Sequence, residues 1–207
     1  MTAVAVQLFP DDDEIVLRGV RFPVELRPSG ADPSDPASWP VVVGRIEYVG
    51  GKLLYMPPCS DTQSYVTTDV TFVLRSWSSE HPGFVVGGNE AGMKLRDDTR
   101  AADAAVWRRA DVGLPSGRLQ HVPPVLAVEV AGQDEEEPTL RTKAAWYLSH
   151  GVEVVWLVLP DTREVIVLTT LGEGRYAARA SERIAPHDAL PGLSPEVTRF
   201  FAQLDGT

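Results

Sequence analysis

The sequence predicts an α/β (α+β) fold, with a mixed central sheet flanked by helices and preceded by a β-hairpin. Three stretches predict it. Residues 125–131, Val-Leu-Ala-Val-Glu-Val-Ala, form an almost continuous apolar run, as a central strand does when both its faces are covered. Within residues 61–80, Val66, Val70, Val73, Leu74 and Trp77 recur at helical spacing and give one apolar face. Within residues 41–57, two β-rich runs flank Gly50-Gly51, a dipeptide that permits positive φ.

Composition sets the outer bounds. A chain of 207 residues, 43% apolar and 23% charged, can bury the core of one ordinary soluble domain. The single cysteine, Cys59, excludes an internal disulfide framework and a cysteine-based zinc site, and fits a reducing, cytoplasmic setting. No segment approaches the roughly 18 apolar residues of a membrane span. The start of the chain lacks the basic region and apolar run of a secretory signal. A formal charge of -10 argues against tight, sequence-independent binding to duplex DNA, unless a local basic cleft or a divalent metal supplies positive charge.

Residues 1–40 read as an N-terminal extension, partly loop. Asp11-Asp12-Asp13-Glu14 is expected in a solvated turn, residues 28–40 are rich in Pro, Ser and Asp, and residues 14–26 can hold a short strand or turn. The main domain, residues 41–207, opens with the hairpin. The helix over 61–80 has Ser60 or Asp61 as cap, and His81-Pro82-Gly83 ends it. Short strands are expected at 84–87, 91–95 and 101–107, then the central strand at 125–131. Pro138 suits the first turn of a helix reaching His150, with Gly151 after its end. A buried strand over 153–159, a turn at 160–163 and two outer strands follow. A last helix is expected over 194–204.

Three charged residues stand in apolar surroundings. Glu129 interrupts the central run and shares a strand face with Val125, Ala127 and Ala131. A carboxylate there needs a partner, a metal or a shifted pKa, unless it sits close enough to the strand end to reach water. Asp103 lies among Ala101, Ala102, Ala104 and Ala105, small neighbours that would let substrate or a hydrated metal approach; a surface strand aspartate looks the same. Lys143 stands three residues after Leu140 and four before Tyr147, on or beside the apolar face of its helix. Its ammonium either snorkels to solvent or is aimed into a site at the sheet edge.

Taken together, the three have a chemistry. Two carboxylates from adjacent strands can hold Mg²⁺ or Mn²⁺, which favour oxygen ligands, and the main-chain carbonyl of Val130 can add another. Such a metal polarises a phosphodiester and lowers the pKa of bound water, while a lysine stabilises the charge that develops. Other candidates offer less. His81, His121, His150 and His187 show no metal-ligand spacing. Gly87-Gly88-Asn89 is followed by no Gly-Lys-Ser/Thr, and no nucleophile elbow is present. Arg108 and Arg109 can touch phosphate or simply sit solvated at a strand end.

Several pieces follow one another in the chain: Glu47-Tyr48-Val49-Gly50-Gly51-Lys52-Leu53, Met56-Pro57-Pro58, Ala102-Asp103-Ala104-Ala105-Val106 and Leu126-Ala127-Val128-Glu129-Val130, then Lys143, Tyr147, Gly151-Val152-Glu153-Val154-Val155-Trp156-Leu157-Val158 and Leu190-Pro191-Gly192-Leu193. Their order and spacing carry a resemblance to the bacterial Uma family of putative restriction endonucleases, in the PD-(D/E)XK nuclease superfamily, over about residues 43–200. It implies a restriction-endonuclease-like domain. It also implies Asp103 and Glu129 as ligands of Mg²⁺ or Mn²⁺, and Lys143 as the catalytic cation. Glu47, or failing that Glu90, would be a further acidic group. The implied activity is hydrolysis of DNA phosphodiester bonds, and a homodimer joined through an outer strand would suit a nuclease that cuts two strands. In the superfamily the lysine usually stands two residues after the glutamate, a place held here by Ala131. Other departures are Ala102 for a proline, Thr139 for a common aspartate, and Gln63 near an expected histidine. The acidic run Gln133-Asp134-Glu135-Glu136-Glu137 would repel a phosphate backbone. These departures leave an alternative, a catalytically silent member of the fold that binds or oligomerises.

Overall fold

A computed structural model of the chain describes residues 3–6, 15–18, 22–28, 30, 32, 35–133 and 135–205. The elements run β1 (Ala3–Val6), β2 (Ile15–Arg18), β3 (Val24–Leu26), β4 (Arg45–Val49), β5 (Lys52–Met56), α1 (Asp61–Glu80), β6 (Phe84–Leu95) and β7 (Asp98–Arg108). Then come α2 (Arg109–Val112), β8 (Leu126–Val130), α3 (Glu137–Ser149), β9 (Val154–Leu159), β10 (Glu164–Thr169) and β11 (Gly172–Ala177). The turn expected at Asp11-Asp12-Asp13-Glu14 lies outside the described residues. Among the described residues no helix is long and apolar enough to cross a membrane.

The chain divides into two compact units, Met1–Cys59 with Lys94–Arg100, and Ser60–Met93 with Ala101–Thr207. In the first, β4 and β5 form the expected hairpin. Gly50 and Gly51 both have positive φ, 58° and 83°, the left-handed conformation that a two-residue hairpin turn needs and that glycine adopts without a Cβ clash. β3 extends this hairpin by pairing antiparallel with β5.

The second unit is built on a mixed sheet in the order β11-β10-β9-β8-β7, with β6 also paired to β7. β8 and β9 are parallel; the β7–β8, β9–β10 and β10–β11 pairs are antiparallel. Every residue of β8 and β9 is buried, which is why both strands read as apolar runs. α1 has the expected bounds. Its N-cap is Ser60, whose hydroxyl oxygen accepts from the Gln63 N–H at 3.2 Å. Its face of Val66, Val70, Val73, Leu74 and Trp77 packs in one cluster with Ala104 and Val106 of β7, Val128 and Val130 of β8, and Trp156 of β9.

Strand alternation then fixes the opposite face. Residues 104, 106, 128 and 130 point into the α1 cluster, so residues 103 and 129 point the other way. Leu140, Lys143, Ala144 and Tyr147 are the buried residues of α3.

Two expectations are corrected. The short strands at 84–87 and 91–95 are one strand, β6, bent where Asn89 and Glu90 take φ of 54° and 62°. The helix over 194–204 is replaced by two short 3₁₀ turns, Val197–Phe200 and Ala202–Asp205. The Val197 N–H donates to the Glu182 carbonyl and the Ile184 N–H to the Pro195 carbonyl, so strand-like pairing engages the Pro195 carbonyl, which a helix would use for the N–H four residues on. Ala102, Ala104 and Ala105, beside Asp103, are fully buried.

Candidate active site

The β7–β8 ladder pairs Ala104 with Val128, and one further step in that register sets Asp103 opposite Glu129. The two carboxylates therefore share the face away from the α1 cluster. Oδ2 of Asp103 accepts the Val130 N–H at 2.7 Å. This charge-assisted bond ties the carboxylate to the strand that carries Glu129. Glu129 is 1% exposed and Asp103 8% exposed, so neither behaves as a solvated strand-end carboxylate.

α3 brings the cation. Lys143 and Tyr147 are four residues apart and project from one side of the helix. Nζ of Lys143 lies 3.1 Å from Oε2 of Glu129, and the Tyr147 hydroxyl donates to Oε1 of the same carboxylate at 2.7 Å. Lys143 is buried, so its ammonium does not snorkel to water. Oε1 of Glu135 lies 2.6 Å from the same ammonium. From α1, the Gln63 side-chain amide donates to the Val130 carbonyl at 3.0 Å. All these groups belong to the second unit.

The trio expected from sequence is thus brought together. Three further participants were not assigned there. Tyr147 reads in the sequence as an apolar-face residue and as part of the resemblance, although its spacing from Lys143 also puts its hydroxyl on that helix face. Glu135 reads as part of a repelling charge run, and nothing in the sequence marks its return to Lys143. Gln63 reads only as a residue near an expected histidine.

The other acidic candidates are placed differently. Glu47, 2% exposed, lies in the first unit, with Arg45 Nε at 3.7 Å and Arg100 Nε at 3.5 Å from its carboxylate oxygens. Glu90 is exposed at the bend of β6, and among the described residues no hydrogen bond or ion pair joins it to the trio. Arg108 pairs with Glu153 at 2.7 Å, and Arg109 donates to the Pro82 and Phe84 carbonyls. His81 and His150 cap their helices, each stacked on a tryptophan, Trp77 and Trp146 respectively.

Among the described residues no group of three or more His, Cys, Asp or Glu side chains forms a ready metal cluster. The donor set of two carboxylates and one main-chain carbonyl nevertheless fits Mg²⁺ or Mn²⁺. Mg²⁺ commonly takes one or two carboxylates and completes its shell with water and phosphate oxygens. Asp103, Glu129, Glu135 and Lys143 carry a combined formal charge of -2 (three carboxylates, one ammonium), which a divalent cation would balance.

The sequence matches the Uma2 family, described as putative restriction endonuclease, over residues 43–200. The chain belongs to the Uma2 family. No curated protein matches it. Its fold is similar to the crystal structure of a putative nuclease of the DUF820 family from Anabaena variabilis. The TM-score is 0.68 at 16% sequence identity, covering 77% of this chain and 90% of that one. At that identity the likeness shows the fold. The Uma2 chain is a mixed α+β protein with a large central sheet, few helices and a restriction-endonuclease-like architecture.

Proposed function

We propose that this chain is a divalent-metal-dependent endonuclease that hydrolyses DNA phosphodiester bonds, with Asp103, Glu129 and Lys143 as its catalytic residues. One observation carries the reading. Two buried carboxylates at facing positions of neighbouring strands share a face with a buried ammonium 3.1 Å from one of them. Buried charges are costly, and three of them gathered in one place mark a candidate functional site. Membership of a family described as restriction endonucleases supports the substrate class.

Asp103, Glu129 and the Val130 carbonyl would hold the metal. When bound, Mg²⁺ or Mn²⁺ supplies Lewis-acid polarisation of a phosphoryl oxygen and a more acidic water. The chain's own residues do the rest. The Val130 N–H fixes the Asp103 carboxylate, the Tyr147 hydroxyl fixes Glu129, and the Gln63 amide orients the Val130 carbonyl. Lys143 donates from its ammonium to the negative charge that builds on the phosphoryl oxygens at the transition state. The net charge of -10 works against long residence on DNA.

The test is cleavage of supercoiled plasmid and of circular single-stranded DNA by the purified full chain with millimolar Mg²⁺ or Mn²⁺, alongside Asp103→Ala and Lys143→Ala. Wild type should nick or linearise the DNA, chelator should stop it, and both variants should lose about a hundredfold or more in rate. If wild type cleaves no nucleic acid with either metal, the enzyme reading fails. The catalytically silent binding or oligomerising module, which the net acidity favours, then takes its place.

A further inference from the structure

We propose that Glu135 is a positioning residue for Lys143, an inference that rests on the catalytic reading of Lys143. A lysine reaches its target on a flexible four-carbon stem, and one carboxylate partner leaves its ammonium an arc of positions. Here two carboxylates hold it from different elements. Glu129 approaches from β8, and Glu135 from the connection between β8 and α3, at 3.1 Å and 2.6 Å. Both are themselves anchored. Glu129 accepts from Tyr147, while Oε2 of Glu135 accepts from the Gly132 N–H at 3.2 Å. The Glu135 N–H in turn donates to the Gly132 carbonyl at 3.1 Å. This reciprocal pair closes the turn and fixes the Glu135 carboxylate in place. Its side chain is 23% exposed against 1% for Glu129, so Glu135 closes the outer side of the ammonium's cradle.

The chemistry gives the second carboxylate a purpose. Glu129 is the one that would turn its charge towards a metal, and its hold on Lys143 would then weaken. Glu135 stays behind as the counter-ion that keeps the ammonium aimed while the reaction proceeds. The acidic run before α3 is therefore, at this one position, part of the site's support.

Two substitutions separate charge from shape. Glu135→Gln keeps the acceptor for the Gly132 N–H and removes the charge; Glu135→Asp keeps the charge on a shorter stem. With DNA and Mg²⁺, Glu135→Gln should lower kcat about tenfold to a hundredfold and leave KM within about twofold, as misplacement of a catalytic group does. Glu135→Asp should recover part of the loss. Independently of cleavage, the rate at which an amine-acylating reagent modifies Lys143 in the folded chain, located by mass spectrometry of its peptides after labelling, should rise about tenfold in Glu135→Gln as the cradle opens. A Gln variant that cuts as fast as wild type or faster, an Asp variant no better than Gln, or unchanged labelling of Lys143 overturns the proposal. Should wild type cleave nothing, the nuclease reading falls while the labelling rate still decides whether Glu135 holds the amine. Should the Gln variant fail to fold, the Asp variant carries both measurements.

Discussion

The Tyr147 hydroxyl donates to Oε1 of Glu129 at 2.7 Å, inside a region where the tyrosine is fully buried and the glutamate 1% exposed. This single bond joins the third turn of α3 to the centre of the sheet. A buried carboxylate oxygen stripped of its donor bears the full desolvation cost. Tyr147→Phe removes that donor and leaves the ring. It should lower unfolding free energy by about 1–3 kcal/mol, read from denaturant midpoints at unchanged slope. A midpoint equal to wild type would mean that water or another donor replaces the hydroxyl without loss.

α3 is also fastened from its solvent side. Glu137, in its first turn, accepts from Arg175 of β11 at 2.7 Å and from Arg141 one turn later at 2.7 Å, while Arg141 pairs with Glu173 and Arg175 with Glu164. The Arg175 guanidinium, and after it Arg141, hold the Glu137 carboxyl below its usual range. A carboxylate whose pKa is lower folded than unfolded stabilises the fold above the unfolded value, near 4.3. It loses that contribution as pH falls through the lower folded value. Because the Glu137 side chain is 31% exposed, solvent and salt hold the effect to about 0.5 kcal/mol. Wild type should therefore lose more stability than Glu137→Gln as pH drops from about 5 to 3 at low ionic strength, and the difference should shrink in high salt. Parallel pH profiles for the two proteins would show that the network contributes nothing.

How much of this was legible in the sequence depends on which physical signal each residue leaves. The apolar runs of β8 and β9 and the spacing of Val66, Val70, Val73, Leu74 and Trp77 gave their elements directly, because burial writes a period into the chain. Glu129 stood out for the same reason, as a charge where the period demands an apolar residue. Lys143 was placed by helix geometry. Asp103 needed the family resemblance, since an aspartate among alanines also suits an exposed strand. The contacts of Glu135 and Gln63 left no signal, because they join a connecting turn and a helix start to groups 8 and 67 residues away. The 3₁₀ ending at Val197–Phe200 was hidden because its pairing with residues 182–184 is a tertiary choice that overrides local helical pattern.

The carboxylate of Asp103 offers a way to separate the fold from the metal. Its Oδ2 accepts the Val130 N–H, and an asparagine oxygen can accept the same donor. Asp103→Asn should therefore fold like wild type in the presence of chelator, with thermal midpoints within a few degrees. What it loses is charge, and with it one anionic ligand for a divalent cation. A cation that binds only the folded protein raises stability by RT ln(1 + [L]/Kd), about 1.4 kcal/mol at tenfold over Kd. Wild type should accordingly gain midpoint temperature as Mg²⁺ or Mn²⁺ is added, and the asparagine variant should gain little or none. Equal shifts in both proteins would place the cation elsewhere on this acidic chain. No shift in either would mean that Asp103 and Glu129 bind no metal without DNA, and that the phosphate of the substrate must complete the ligand set.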